Sequence, residues 1–373
     1  MVKYGLAIYG LTFFSQAINL SWYYRGIEKT VPITISQIFS SVINLVLILT
    51  IINDRRDIIY AVIVMTSISF MNSFVLLMLY LRKHKLKPMI DYGFIKNNLK
   101  ESLPIAAAGL MISIYYNLDH VMLGYNSNTA ELGFYAAAYK IILIALIPAG
   151  IIFQSFLPQF SKSINDFNLR NNLMEEYSKL MLITGAFFTT MIFLFAKEII
   201  GITYGVQYIN SIMLTQILAF NIFLVYLNMS YGNPLIAWNK QKLFSYPIIA
   251  AALGNIILNI ILIPKYQAKG AAIATISSEL IVMLGFIPAH FRITKKIHIK
   301  NILAIMICAV LTIILVTSFE SNIIHLLRVI AAALSFFILA ISFGLINRFK
   351  LDNIFRGVKL PASFFTNSSS GNE

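Results

Sequence analysis

Four charged residues fall inside otherwise apolar runs: Asp119, Lys140, Glu279 and Arg328. On insertion scales a charge at the centre of a bilayer costs about 2.5–3.5 kcal/mol, so each such residue needs a partner or a duty. Asp119 stands toward the end of one run, and Lys140 in the first turns of the next, so the spacing predicts an ion pair between them. Two readings are open for the pair: a gate or ion-coupling device, or a clamp between two helices with the ends snorkelling to the interface. Glu279 lies mid-run, with Thr275 one turn before it and Ser278 beside it. A carboxylate there either carries a proton or a cation, or satisfies a neighbouring helix through a hydrogen bond. Arg25, Glu28 and Lys29 cluster just past the first run. A guanidinium grips a diphosphate bidentately, but the same cluster also suits a charge anchor at the membrane surface. Arg328, near a run's end, reads as snorkelling.

Uncharged polar residues add a second pattern. Gly109, Ser113, Asn117 and His120 recur at helical spacing and make one face of a run less apolar. That face either lines an aqueous cavity or packs closely on another helix. Asn44, Asn255 and Asn259 read as interhelical hydrogen bonds. Trp22, Tyr23 and Trp238, near run ends, read as interfacial anchors. His84, His290, His298 and His325 show no metal-ligand spacing, and the one cysteine, Cys308, sits in an apolar run, so no metal site is expected. No phosphate-cradling glycine loop occurs, which excludes ATP hydrolysis by this chain and leaves no cofactor to expect. Asp54 and Asp57 belong to a short turn and read as solvated.

The elements that must position these residues follow from composition. The chain is 58% hydrophobic and 12% charged. Soluble proteins carry roughly 25% charged residues, so the surplus apolar surface belongs in lipid. A spanning helix needs about 20 mostly apolar residues. Such runs lie near 1–21, 32–52, 58–81, 102–124, 134–157, 179–197, 210–232, 244–264, 271–290, 301–319 and 323–347. The net charge of +14 sits in the short connections, which argues against nucleic acid as a partner. Taking alternate connections, one set holds 21 Lys and Arg and the other six. The positive-inside rule then places the first set and the C-terminus in the cytoplasm and the N-terminus of this chain outside. A start with one lysine and no clear cleavage site does not read as a signal peptide. Shifting the sequence by 211 positions aligns Lys29 with Lys240, Asn44 with Asn255, Leu47 with Leu258, Ala61 with Ala272 and Ser67 with Ser278. Runs one to three thereby match runs seven to nine, a repeat plan common in transporters.

Several motifs carry a family resemblance. Trp22-Tyr23-Tyr24-Arg25-Gly26-Ile27-Glu28-Lys29 resembles the W-F-F-Q-G-x-E-K segment of bacterial polysaccharide and O-antigen flippases. Leu103-Pro104, then Asp119-His120-Val121-Met122-Leu123-Gly124, is similar to their L-P and D-x-x-M-L-G segments. Gly133-Phe134-Tyr135-Ala136-Ala137-Ala138-Tyr139-Lys140 is similar to G-x-Y-x-A-A-x-K, and Glu279 resembles the glutamate of a late span.

The resemblance implies an all-α, polytopic transmembrane bundle of about eleven spans, a pseudo-two-fold, two-lobe transporter. It implies a partial N-lobe over 1–81, a basic cytoplasmic linker over 82–101 and a C-lobe over 102–290. Two additional spans would follow over 291–347, then a cytoplasmic tail over 348–373, whose last residues, Asn367–Glu373, read from their polar composition as disordered. Family members have three spans before the Trp-containing segment, so an incomplete first lobe is expected. The implied task is moving an undecaprenyl-diphosphate-linked oligosaccharide across the bacterial inner membrane without enzymatic chemistry. Arg25, Lys29, Asn117 and Lys140 are then candidates for substrate binding, and Asp119 and Glu279 for ion coupling. Membrane lipids, a polysaccharide polymerase and chain-length machinery are the implied partners. A small-molecule exporter of the same superfamily, a membrane glycan polymerase and an inactive remnant are the competing readings. Short outer loops argue against the polymerase.

Overall fold

The computed structural model describes residues 2–27, 29–52, 57–82, 84, 91–126, 129–318 and 325–345. Glu28, Asp54 with the rest of the turn over 53–56, and the tail expected from 348 lie outside the described residues. Among the described residues every regular element is a helix and no strand occurs. The chain divides into two compact units, 1–93 and 94–373, a division that falls within the stretch 82–101 expected as linker.

The first unit holds α1 (Val2–Gly10), α2 (Thr12–Ala17), α3 (Ser21–Gly26), α4 (Val31–Ile51) and α5 (Ile58–Leu81). The sequence predicts one helix over 1–21, and the structure breaks it. Gly10 is a weak helix former, and the polar side chains near the breaks bond backbone groups. Thr12 Oγ1 donates to Tyr9 O at 2.6 Å, Ser15 Oγ to Thr12 O at 2.9 Å, and Asn19 Oδ1 accepts from Ser21 N at 2.9 Å. Pro32 opens α4, where its missing N–H costs nothing. α5 packs on α1, α2 and α4.

The second unit is built on α6 (Tyr92–Asn126), α7 (Thr129–Lys162), α8 (Phe167–Leu194), α9 (Ala196–Tyr204), α10 (Ser211–Ala237), α11 (Gln241–Thr294), α12 (Ile299–Ser318) and α13 (His325–Ser342). Residues 92–101, expected in the linker, are the opening turns of α6. Asp166 caps α8, its Oδ1 accepting from Leu169 N at 2.9 Å. α10 is the central helix and packs on α7, α8 and α11. A Cβ on Gly185 of α8 would lie 2.6 Å from Cβ of Tyr226 on α10, so only glycine permits this approach.

α11 is two helices in one. Gln267 has φ 50° and ψ −129°, which turns the chain back on itself. Gly270 permits the reversal, since a Cβ there would sit 2.4 Å from Leu262 O. The two arms hold the apolar runs expected at 244–264 and 271–290.

Seven helices among the described residues are long and apolar enough to cross a membrane: α4, α5, α7, α8, α10, α11 and α12. α13 contributes a shorter apolar stretch, Leu327–Ser342. Trp238 departs from its expected role as an interfacial anchor. It is buried, with Phe160 5.8 Å away edge-on, the Arg170 guanidinium 5.1 Å from its ring centroid and Nε1 donating to Ser163 Oγ at 3.2 Å. Trp22 is exposed.

Candidate functional site

Asp119, near the C-terminal end of α6, is 2% exposed. Its partners come from α7 and from both arms of α11. Tyr135 Oη donates to Oδ2 at 2.8 Å and Thr275 Oγ1 donates to the same oxygen at 2.7 Å. Asn259 Nδ2 donates to Oδ1 and also reaches Asn255 Oδ1 at 2.9 Å. The His120 ring stands edge-on 5.2 Å from Tyr135.

The predicted ion pair with Lys140 does not form: Lys140 is exposed, and Asp119 spends its oxygens on neutral donors. The reason lies in helix geometry. Tyr135 and Lys140 are five positions apart on α7, which is about 140° around the axis. With Tyr135 turned to the core, Lys140 must turn away. The resulting site is a buried carboxylate held by uncharged groups of α7 and both arms of α11, and the buried Asn259 Oδ1 has no hydrogen-bond partner among the described residues. Such a site can accept a proton or a small monovalent cation without first breaking an ion pair.

Glu279, on the second arm of α11, is buried and makes a different set of contacts. Asn228 Nδ2 of α10 donates to Glu279 Oε2 at 2.6 Å and to its backbone O at 2.9 Å. Thr275, expected beside Glu279, serves Asp119 instead, and Ser278 Oγ bonds Ala274 O at 2.8 Å. Glu279 lines a cavity of about 120 Å³ with Phe244, Ile248, Val282 and Phe286. The rings of Phe244 and Phe286 stack with centroids 5.5 Å apart.

The first unit holds a cavity of about 220 Å³ whose walls are polar and uncharged. Its lining matches that of the Glu279 cavity helix by helix, at close to the 211-position offset of the repeat. Gln16 of α2 and Asn19, in the connection to α3, stand in one cavity where Val225 and Asn228 of α10 stand in the other. From the second helix of each set come Ile33 and Gln37 against Phe244 and Ile248. From the third come Ser69, Asn72 and Leu76 against Glu279, Val282 and Phe286. Each asparagine donates to the third helix of its set, but at positions that do not correspond: Asn19 Nδ2 to Ser73 Oγ at 3.2 Å, and Asn228 Nδ2 to Glu279, which stands against Ser69. Gln16, Gln37 and Asn72 escape a sequence reading weighted toward charge. The signal for them is the spacing of Gln16 with Asn19 and of Ser69 with Asn72, three apart within apolar runs of the sequence.

The remaining candidates line neither of these cavities. Arg25 and Lys29 are exposed at the hairpin between α3 and α4. Asn117 is exposed on α6, and its Nδ2 donates to Ser113 O at 2.8 Å within the helix. Arg328 stands 6.0 Å over the Phe195 ring.

Comparison with known proteins agrees with this architecture. Residues 3–164 match the family model described as "Polysaccharide biosynthesis protein". A "Putative O-antigen transporter" of Escherichia coli is 25% identical over 273 residues, covering 71% of this chain and 66% of the relative. A "Probable low-salt glycan biosynthesis flippase" of Haloferax volcanii is 27% identical over 165 residues, covering 43% of this chain and 34% of the relative. The chain thus matches 66% or less of the length of either of these relatives. The solved structure of the lipid II flippase MurJ in an inward closed conformation superposes with a TM-score of 0.70. It covers 92% of this chain and 73% of that one at 18% identity, which is a likeness of fold.

Proposed function

We propose, on the premise that this chain belongs to the polysaccharide and O-antigen flippase family, that it carries a lipid-linked oligosaccharide from the inner to the outer leaflet of the bacterial inner membrane. The lipid is undecaprenyl diphosphate, and the product passes to a polymerase and chain-length machinery. The distribution of Lys and Arg supports a cytoplasmic C-terminus and an N-terminus of this chain outside.

The observation that carries the reading is the Asp119 cluster. A transporter needs two conformations and a ligand that binds one better than the other. Asp119 gathers α6, α7 and both arms of α11 through three neutral donors. Binding of a proton or a monovalent cation there changes which donors the carboxylate holds, and so biases how those helices pack. Glu279 is a second candidate carrier on the same α11 arm as Thr275. Arg25 and Lys29 hold the diphosphate; Lys140 and Asn117 are further candidates for contact with the substrate.

The test is complementation of a flippase-null strain, scored by surface polysaccharide at matched membrane levels of protein. The chain restores polysaccharide and Asp119→Asn does not. Failure of the unaltered chain, or full restoration by Asp119→Asn, rejects the reading.

A further inference from the structure

Where α7 and α10 begin and α11 reverses, the second unit holds a third cavity, of about 310 Å³. Sites for small molecules run from about 300 to 1,000 Å³, so it has room for a small polar group. Glu131 reaches it from the first turn of α7, Asn210 from the residue before α10, and Lys269 from the reversal of α11. A carboxylate and an ammonium group in one wall would ordinarily close on each other. These two make no ion pair among the described residues. Glu131 Oε2 accepts a long bond from Ala268 N, at 3.4 Å, and Lys269 is exposed with no bond among the described residues. The three-helix plan does not need the lysine either. Under the 211-position shift Lys269 falls on Ile58, which opens α5.

The cavity stands at helix ends, where the headgroups of a bilayer lie. Tyr208 meets its wall residue Phe134 edge-on at 5.9 Å, and Tyr204 lies 5.2 Å from Tyr208. Aromatic rings of this kind collect at the membrane–water interface. Ile209 and Met213, also in the wall, are exposed. Phe220, two turns beyond Met213 on the same face of α10, is exposed too. The opening therefore continues onto an apolar helix face suited to lipid tails. A soluble ligand would find the two charges but gain nothing from that face.

The charges fit a ligand that carries both signs. Lys269 and the Asn210 amide suit a phosphate, and Glu131 suits an ammonium group. A primary ammonium offers N–H donors to a carboxylate, whereas the trimethylammonium of choline offers none. We propose that this cavity seats the headgroup of phosphatidylethanolamine, with the tails along Ile209, Met213 and Phe220. The site is independent of what the chain transports.

The test is native mass spectrometry of the full chain in detergent, titrated with dioleoyl phosphatidylethanolamine or with its choline counterpart. The ethanolamine lipid binds about tenfold tighter, the scale of one charge-assisted hydrogen bond. Glu131→Gln, which keeps the size and removes the charge, brings the two lipids to equal affinity. Lys269→Gln, at an exposed side chain with no bond to lose, weakens both by about threefold, the scale of an exposed charge pair. It decides the matter if Glu131→Gln proves unstable. Glycerophosphoethanolamine, the same headgroup without tails, binds far more weakly than the lipid. Equal affinity of the two lipids for the unaltered chain overturns the assignment. So does a preference that survives Glu131→Gln, or an affinity unchanged by Lys269→Gln. A soluble headgroup that binds as tightly as the lipid also overturns it, since the apolar face then contributes nothing.

Discussion

The cavity walled by Gln16, Gln37 and Asn72 and the cavity walled by Glu279, Phe244 and Phe286 stand at matching places in two copies of one three-helix plan. Their chemistry is opposite. One is neutral and dense in amides; the other is aromatic and aliphatic around a single carboxylate. Each set ties an asparagine to its third helix, Asn19 to Ser73 and Asn228 to Glu279, at positions that do not correspond. The units differ in packing as well. Tyr24, Ile33 and Leu76 form a small buried cluster in the first unit, whereas the second has an extended core around Tyr135, Tyr177 and Tyr226.

The largest effect that would break the contrast is at Asp119. Asp119→Asn keeps the size of the side chain but removes the charge; surface polysaccharide falls to the level of the null strain while thermal stability in detergent stays close to normal. A tightly packed second unit also predicts unequal responses to added volume. Gly185→Val meets Tyr226 and destabilises by about 1–3 kcal/mol, the range for overpacking. Gly5→Val in the first unit meets nothing within 4 Å and changes stability by about 0.5 kcal/mol or less, as surface changes do. Equal melting shifts for the two would refute the difference in packing. Thr275→Val removes one of three donors to Asp119, so transport rates in reconstituted vesicles drop less than with Asp119→Asn; an equal drop would mean that Thr275 does more than share the carboxylate.

The smallest expected effect is a pH dependence confined to the second unit. His298 lies in the connection between α11 and α12, where burial pushes its pKa below 6.5, the Glu175 carboxylate opposes that shift, and Lys179 and Lys296 add to it. Above about pH 6.5 the ring is neutral in both folded and unfolded chains, and the full stability is present. As the pH falls below that, the unfolded chain takes up the proton first and stability declines. The melting temperature therefore drops between about pH 7.5 and 5.5, and His298→Gln reduces the drop. An unchanged slope in the variant would assign the dependence to other groups.

Much of this was legible in the sequence, and the failures share a cause. Apolar runs announced the helices, and charge inside a run announced Asp119 and Glu279. Partnership was not legible, because it depends on which helices meet. Thr275 is one turn from Glu279 in the chain but serves Asp119 across an interface. Lys140 is near Asp119 along the membrane but on the wrong side of α7. Trp238 sits at a helix end, as anchors do, yet the end of α10 is covered by α7 and α8 side chains. The break in the first run came from Thr12, Ser15 and Asn19, residues that hydropathy counts as a small loss of apolarity. Gln16 and Gln37 were hidden the same way: two amides scarcely alter a run's hydropathy, although an unsatisfied amide in hydrocarbon is expensive.

The division of labour between the two oxygens of Asp119 has one further consequence. Oδ2 serves Tyr135 of α7 and Thr275 of the second arm of α11, while Oδ1 serves Asn259 of the first arm. A protonated oxygen becomes a donor and can no longer accept every hydrogen bond it held. Proton arrival at Oδ2 therefore evicts or reverses hydroxyls from two helices at once. Arrival at Oδ1 disturbs a single amide. If Asp119 is the proton carrier proposed above, the carboxylate would work as an address: which oxygen is occupied would select which helices are set loose.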